Sequence, residues 1–253
     1  MQYSVRLNLF GTAFAFACLL GLSIVASTLV VSRSIQARSA EQSRARREIE
    51  MRGSARLRVR SDLAVWRVVV RAQGSSLQTT FDALEKSTRA VHEFLVSQEF
   101  SSDEISLSAI STRPIHARNK EGEALDDISG YSLERAAIVT TANVEKAAGA
   151  ATAVTQLLRD GVEVMSGRPE FTCTKLGDIR QTLLGNAAKD ARSRAEEVVS
   201  NTGGKIGAVR DVRTNPIQVT EPNSTEVSGM GRYDTSTIEK DVTGVVSVTF
   251  GIE

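Results

Sequence analysis

Apolar positions divide the chain into one long uncharged run and a later series of short alternating and helical patterns. From Leu9 to Val31 there is no charged residue, a run of about 23 residues and enough to cross a hydrocarbon core of roughly 30 Å. A cleaved leader has a shorter apolar stretch followed by a small-residue cleavage site. No such site follows here, and Ala15-Phe16-Ala17 before Cys18 is a poor lipoprotein box. The pattern therefore predicts a cytoplasmic tip and retained transmembrane anchor over residues 1–32, with residues 9–31 in contact with membrane lipid. Residues 33–52 are rich in Arg, Ser, Ala and Glu, as in a solvated helical stalk or linker.

From Arg56 to Ala72 the residues alternate and then become strongly β-forming in Ala64–Val70, which predicts one long strand bent near Ser61-Asp62. A helix follows over about 76–98. Leu77, Phe81, Leu84, Thr88, Val91 and Leu95 lie on one face, and Ser75 or Ser76 caps it. Ile105–Ile115 reads as a strand ended by Pro114, and Tyr131–Thr141 as its partner across a polar loop. Asn143 caps a second helix that ends at Gly161, and Val162–Thr174 returns as a strand. A third helix over about 177–201 buries Ile179, Leu183, Ala187, Ala191, Ala195 and Val198, and Gly203-Gly204 terminates it. Strands at Ile206–Val219 and Val242–Ile252 close the chain around a long polar loop, Glu221–Asp241. The order is β-α-β-β-α-β-α-β-β. It is an α+β plan, a mixed sheet with helices packed on one face, over residues 53–253 and preceded by a single transmembrane helix.

Composition narrows the function. Net charge is only +1 and aromatics are 5% of residues, so neither a global field nor a stacking platform favours nucleic acid. Cys18 sits in the apolar run and Cys173 in the soluble part, too far apart for a disulfide framework. His92 and His116 have no partners at zinc-site spacing. No Gly-x-Ser-x-Gly elbow is present. The glycines of Asn201–Val209 follow a helix and precede a strand, the reverse of a phosphate cradle, and read as a helix cap. Glu121, Glu123, Asp126 and Asp127 do not match a calcium loop, and the Asn223-Ser224-Thr225 sequon carries no weight. The expectation is no catalytic, cofactor-binding or metal residues, no cofactor, and no enzymatic activity.

Several short stretches in order resemble the SIMPL domain family over about residues 49–253. They are Gly53-Ser54-Ala55, Asp62-Leu63-Ala64, Ile128-Ser129-Gly130-Tyr131, the alanines at 187, 191 and 195, and Gly204–Val209. Family members usually carry Pro-Asp where this chain has Ser61-Asp62, and a Tyr after the hairpin proline where it has Ile115-His116. The resemblance implies an extracytoplasmic domain, self-association and no established catalysis. Flanking charge opposes that topology. Arg33, Arg38, Arg44, Arg46 and Arg47 follow the run and only Arg6 precedes it, which alone keeps the domain cytoplasmic. The combined expectation is a single-pass inner-membrane protein with its domain in the periplasm, acting as a non-catalytic module that self-assembles into a ring or cage. Edge strands or the loop Glu221–Asp241 would make the contacts. The alternatives are a small-molecule or lipid-binding envelope module, an unrecognised hydrolase, and a cytoplasmic-facing domain.

Overall fold

A computed structural model of the chain describes residues 47–224 and 230–253. The expected anchor and residues 33–46 of the expected stalk lie outside them. No helix among the described residues is long and apolar enough to cross a membrane.

The strands are β1 (Glu48–Arg60), β2 (Leu63–Gly74), β3 (Ile105–Leu107), β4 (Ser111–Arg118), β5 (Ala124–Thr141), β6 (Val164–Ser166), β7 (Glu170–Thr172), β8 (Ile206–Thr214), β9 (Gln218–Thr220), β10 (Arg232–Tyr233) and β11 (Glu239–Ile252). The helices are α1 (Leu77–Ser97), α2 (Val144–Ala153) and α3 (Leu176–Asn201), with 3₁₀ turns at Ser102–Glu104 and Val154–Asp160. The predicted element order holds, and most predicted strands are split by an identifiable break. β1 and β2 separate at Ser61-Asp62 and enter different sheets, so the single expected strand and single expected mixed sheet become two of each. Ser108 parts β3 from β4 and still serves the ladder, its Oγ accepting from Ala136 N at 3.0 Å. Gly167-Arg168-Pro169 parts β6 from β7, which both pair with β2. Pro114 does not end its strand. It lies inside β4 opposite Tyr131, and the strand is at a sheet edge, where a missing N–H is tolerated.

The described residues form two compact units, one of residues 53–190, 214–224 and 230–246, the other of residues 47–52, 191–213 and 247–253. In the larger unit β2 and β5 run antiparallel from Ala64↔Thr141 to Gly74↔Tyr131. Alternate β2 side chains, Trp66, Val68 and Val70, are buried in one core with Leu84, Val91 and Leu95 of α1 and Ala150 of α2. A fully buried side chain of this size contributes about 1.5–3 kcal/mol. Trp66 Nε1 donates to Ser166 Oγ and Gly167 O, each at 3.1 Å, so its polar end is satisfied. Ser76 caps α1 as predicted, its Oγ accepting from Thr79 N at 3.3 Å. The first turn departs from the predicted face, because Thr80 is buried while Leu77 and Phe81 are half exposed.

The alternating arginines of β1 meet acids on β11. Arg58 Nε and Nη2 bind Asp241 Oδ1 and Oδ2 at 3.0 and 3.2 Å, and Arg60 Nη1 reaches Glu239 at 3.3 Å. β11 lies between β1 on one side and β8 and β9 on the other, so it is not an edge strand, whereas among the described residues β1 pairs with β11 alone. In the smaller unit Ala191, Ala195 and Val199 of α3 and Val248 and Phe250 of β11 are buried. Val199, rather than the expected Val198, continues the strict four-residue stripe. Gly203 at φ 81° ends α3 in a Schellman turn, with Gly204 N bonded to Val199 O and Gly203 N to Ser200 O.

Asp241 is almost fully buried, and its bonds from Arg58 hold its carboxyl below the usual carboxylate range despite desolvation. Asp62 is lowered by Thr174, and Glu104 by Thr141 and Ser101. A depressed carboxylate stabilises the fold above its unfolded pKa and loses that contribution as pH falls through the folded value. Thermal stability is therefore expected to be flat through neutrality and to fall from about pH 4 downward. Asp241→Asn should cost about 1–3 kcal/mol at pH 7 and flatten part of the acid limb. Melting curves across pH check both.

Candidate interaction surface

β5 is longer than the sheet that holds it. Its ladder with β2 stops at Gly74↔Tyr131, and residues 124–130 run on with only β4 beside them. Among the described residues β4 in turn pairs with β5 alone. Beyond Tyr131 the two strands form a ribbon whose faces are largely exposed, and which has both outer edges open among the described residues. At about 3.3 Å per residue it projects roughly 25 Å. Two features fix where it leaves. Gly130 passes so close to β2 that a Cβ there would lie 2.6 Å from the Gly74 carbonyl oxygen. A bulge follows, with Ile115 opposite Gly130 and His116 opposite Ile128, which skips Ser129.

The arm holds its own shape. Asn119 Oδ1 accepts from Glu121 N at 3.1 Å and Glu123 N at 2.8 Å, and Asn119 N donates to Glu123 O at 3.0 Å. Gly122 supplies the left-handed conformation, φ 86°. Arg118 Nη1 reaches Gly122 O at 2.8 Å, and His116 Nδ1 lies 3.0 Å from Leu125 O. The polar stretch expected as a long loop is thus mostly strand around a tight turn. Leu125 and Ile128 are 42% and 52% exposed. The arm's charged side chains form no ion pair among the described residues.

The other residues singled out in the sequence lie apart. His92 is half buried on α1, and Cys173 is buried just after β7 with its amide 3.4 Å from Tyr233 Oη. Among the described residues no group of three or more His, Cys, Asp or Glu could hold a metal ion. Of the loop expected as an assembly element, the part between Asp234 and Asp241 is stapled to the rest of the unit. Phe171 N donates to Thr235 O and Ser61 N to Ile238 O, at 2.8 and 2.9 Å. Lys240, fully buried, donates to Asp234 Oδ2 at 3.1 Å and Thr237 O at 2.7 Å. Burial pushes the Asp234 carboxyl up, but donors from Ser236, Thr237 and Lys240 outweigh it and hold it well below the carboxylate range. With its oxygens already bonded this cluster is a structural clip, and no motif in the sequence marked it. Residues 225–229 of the loop lie outside the described residues.

The clefts among the described residues include one beside β10 and one beside α1. One of about 620 Å³ is lined by Arg180, Asn215, Met230, Arg232 and Tyr233. The other, about 510 Å³, is apolar and lies between Leu77 and Phe81 of α1 and Ile110, Thr112 and Leu133.

The model of the SIMPL family, described as a protein of unknown function (DUF541), matches residues 49–250. A comparison with curated proteins finds no match. Among solved structures, the de novo designed protein Foldit4 aligns at TM-score 0.23 and 11% identity, over 42% of this chain and 94% of that one. The regulatory subunit of aspartate kinase from Thermus thermophilus, ligand free, aligns at TM-score 0.18 and 12% identity, over 79% and 87%. An uncharacterized conserved protein from Listeria innocua gives TM-score 0.18 and 8% identity, over 78% and 92%. At these scores the likenesses carry no structural argument.

Gly130→Ala is expected to lower stability by about 1–3 kcal/mol, because the methyl meets a backbone oxygen that cannot swing aside. Denaturant melts check this.

Proposed function

Because the chain belongs to the SIMPL family, whose function is unknown, we propose that it is a membrane-anchored envelope protein acting as a non-catalytic interaction module that self-assembles into a ring or cage. One observation carries the self-assembly: a preformed two-stranded arm with both edges open. An isolated two-stranded ribbon is marginal in water, and unpaired strand edges are templates for pairing with another chain. The arm contributes little to the core, so stability does not account for it. The uncharged run Leu9–Val31 supports the anchor, and confinement to a plane raises the effective concentration of subunits. An extracytoplasmic domain follows from the family resemblance, against the flanking arginines.

The full-length protein should stay in membranes through a high-pH carbonate wash and sediment in mild detergent as a closed oligomer at micromolar concentration. Release by the wash overturns the anchor. A monomer at that concentration overturns self-assembly.

The apolar cleft beside Leu77 and Phe81 favours a second reading, a lipid- or small-molecule-binding module. In that case protein extracted from membranes carries a stoichiometric apolar ligand, detected by mass spectrometry and lost in Phe81→Lys.

A further inference from the structure

The arm's two strands carry opposite charge. From Arg113 to Lys120 the chain has the cations Arg113, Arg118 and Lys120 and no acid. From Glu121 to Asp127 it has four carboxylates, Glu121, Glu123, Asp126 and Asp127, and no cation. None of these seven is in an ion pair among the described residues, and most of the positions are exposed. The outer edge of β4 is thus basic and the free edge of β5 acidic, each with unpaired backbone groups beside it. Pro114 removes one donor from β4, but it sits at the base of the arm opposite Tyr131, and Ile115–Arg118 beyond it keep theirs.

We infer that the arms of neighbouring copies pair head to tail, with the outer edge of β4 in one copy against the free edge of residues 124–129 in the next. This rests on the self-association proposed above and names its contact. Charge decides among the possible pairings. β4 against β4 sets cations against cations, and β5 against β5 sets carboxylates against carboxylates, whereas β4 against β5 joins opposites and satisfies both backbone edges. Strand direction agrees. β4 and β5 are antiparallel within one arm, so a neighbour in the same orientation presents its β4 antiparallel to β5 and continues the ladder. The exposed Leu125 and Ile128 lie on the joining segment and lose water contact as it pairs. A head-to-tail contact leaves one free edge of each kind at the ends of any open array. It is satisfied only when the rotation between copies closes a ring.

The test is a charge swap in the full-length protein in mild detergent, followed by sedimentation. Arg113→Glu with Lys120→Glu makes both edges net acidic, and Glu121→Lys with Asp126→Lys and Asp127→Lys makes both net basic; neither set removes a side chain that hydrogen-bonds in the turn. Each should weaken assembly by about tenfold or more in dissociation constant, and the chain carrying all five should reassemble. If both sets assemble like the natural sequence, the arms are not the contact although self-assembly stands. If the five-fold variant stays dissociated, the arms touch in some other register and the head-to-tail pairing is wrong. A natural protein that is monomeric removes the underlying reading itself. Should a variant melt lower than the natural protein, salt dependence decides instead. Assembly of the natural chain should weaken between 0.05 and 1 M salt (roughly 14 to 3 Å of screening length), and salt-insensitive assembly overturns the pairing.

Discussion

The mismatch in length between β2 and β5 governs much of the larger unit. β2 stops at Gly74 because the chain must turn there into α1, whose cap at Ser76 follows at once. β5 has no such constraint and continues to Ala124. Where the two run together, alternate side chains are buried beneath α1 and α2 and the sheet is held by its core. Where β5 runs alone, it has only β4 and the turn at Asn119. The same strand is therefore buried at alternate positions along one half and exposed along the other, and Gly130 marks the change because nothing larger fits beside the end of β2.

Helix positions and caps were legible in the sequence because they depend on local periodicity and a few capping side chains. Ser76, Asn143, Gly161 and Gly203 all act where their residue types predict. Strand breaks were not, because they depend on partners far along the chain. Ser61-Asp62 looks like a bend until its partners are known, Ile238 O accepting from Ser61 N and Thr174 N donating to Asp62 Oδ1. The arm reads as a loop in the sequence because its charged residues look solvated in either state. The alternation of Arg118, His116 and Pro114 with short apolar residues was too weak to separate an exposed ribbon from a turn. The last turn of α3 differs by one residue, since a straight helix face calls for a three-residue step from Ala195 to Val198, whereas the buried stripe keeps its four-residue spacing to Val199.

The Asp234–Lys240 clip and the Asp241–Arg58 pair solve one problem in two ways. A segment of polar residues lies against a sheet, and its charges are either surrounded by donors or matched to a guanidinium. Ser61 escapes this treatment. Its hydroxyl is buried without a partner among the described residues, at a cost of about 1–3 kcal/mol, at the position where related proteins are expected to carry proline. The backbone gains something in exchange, because Ser61 N donates to Ile238 O at 2.9 Å and proline has no hydrogen to give.

The pairing of β1 with β11 also orders the events of folding. Arg58 and Asp241 are separated by 183 positions, so one of the two sheets cannot close until nearly the whole chain is present, and its loop-closure entropy is met late. The β2–β5 ladder needs only residues up to about 141, with α1 lying between those strands in sequence. A chain emerging from the ribosome can therefore bury its first core long before its ends meet. During that interval β1 carries its arginines with no acids opposite them.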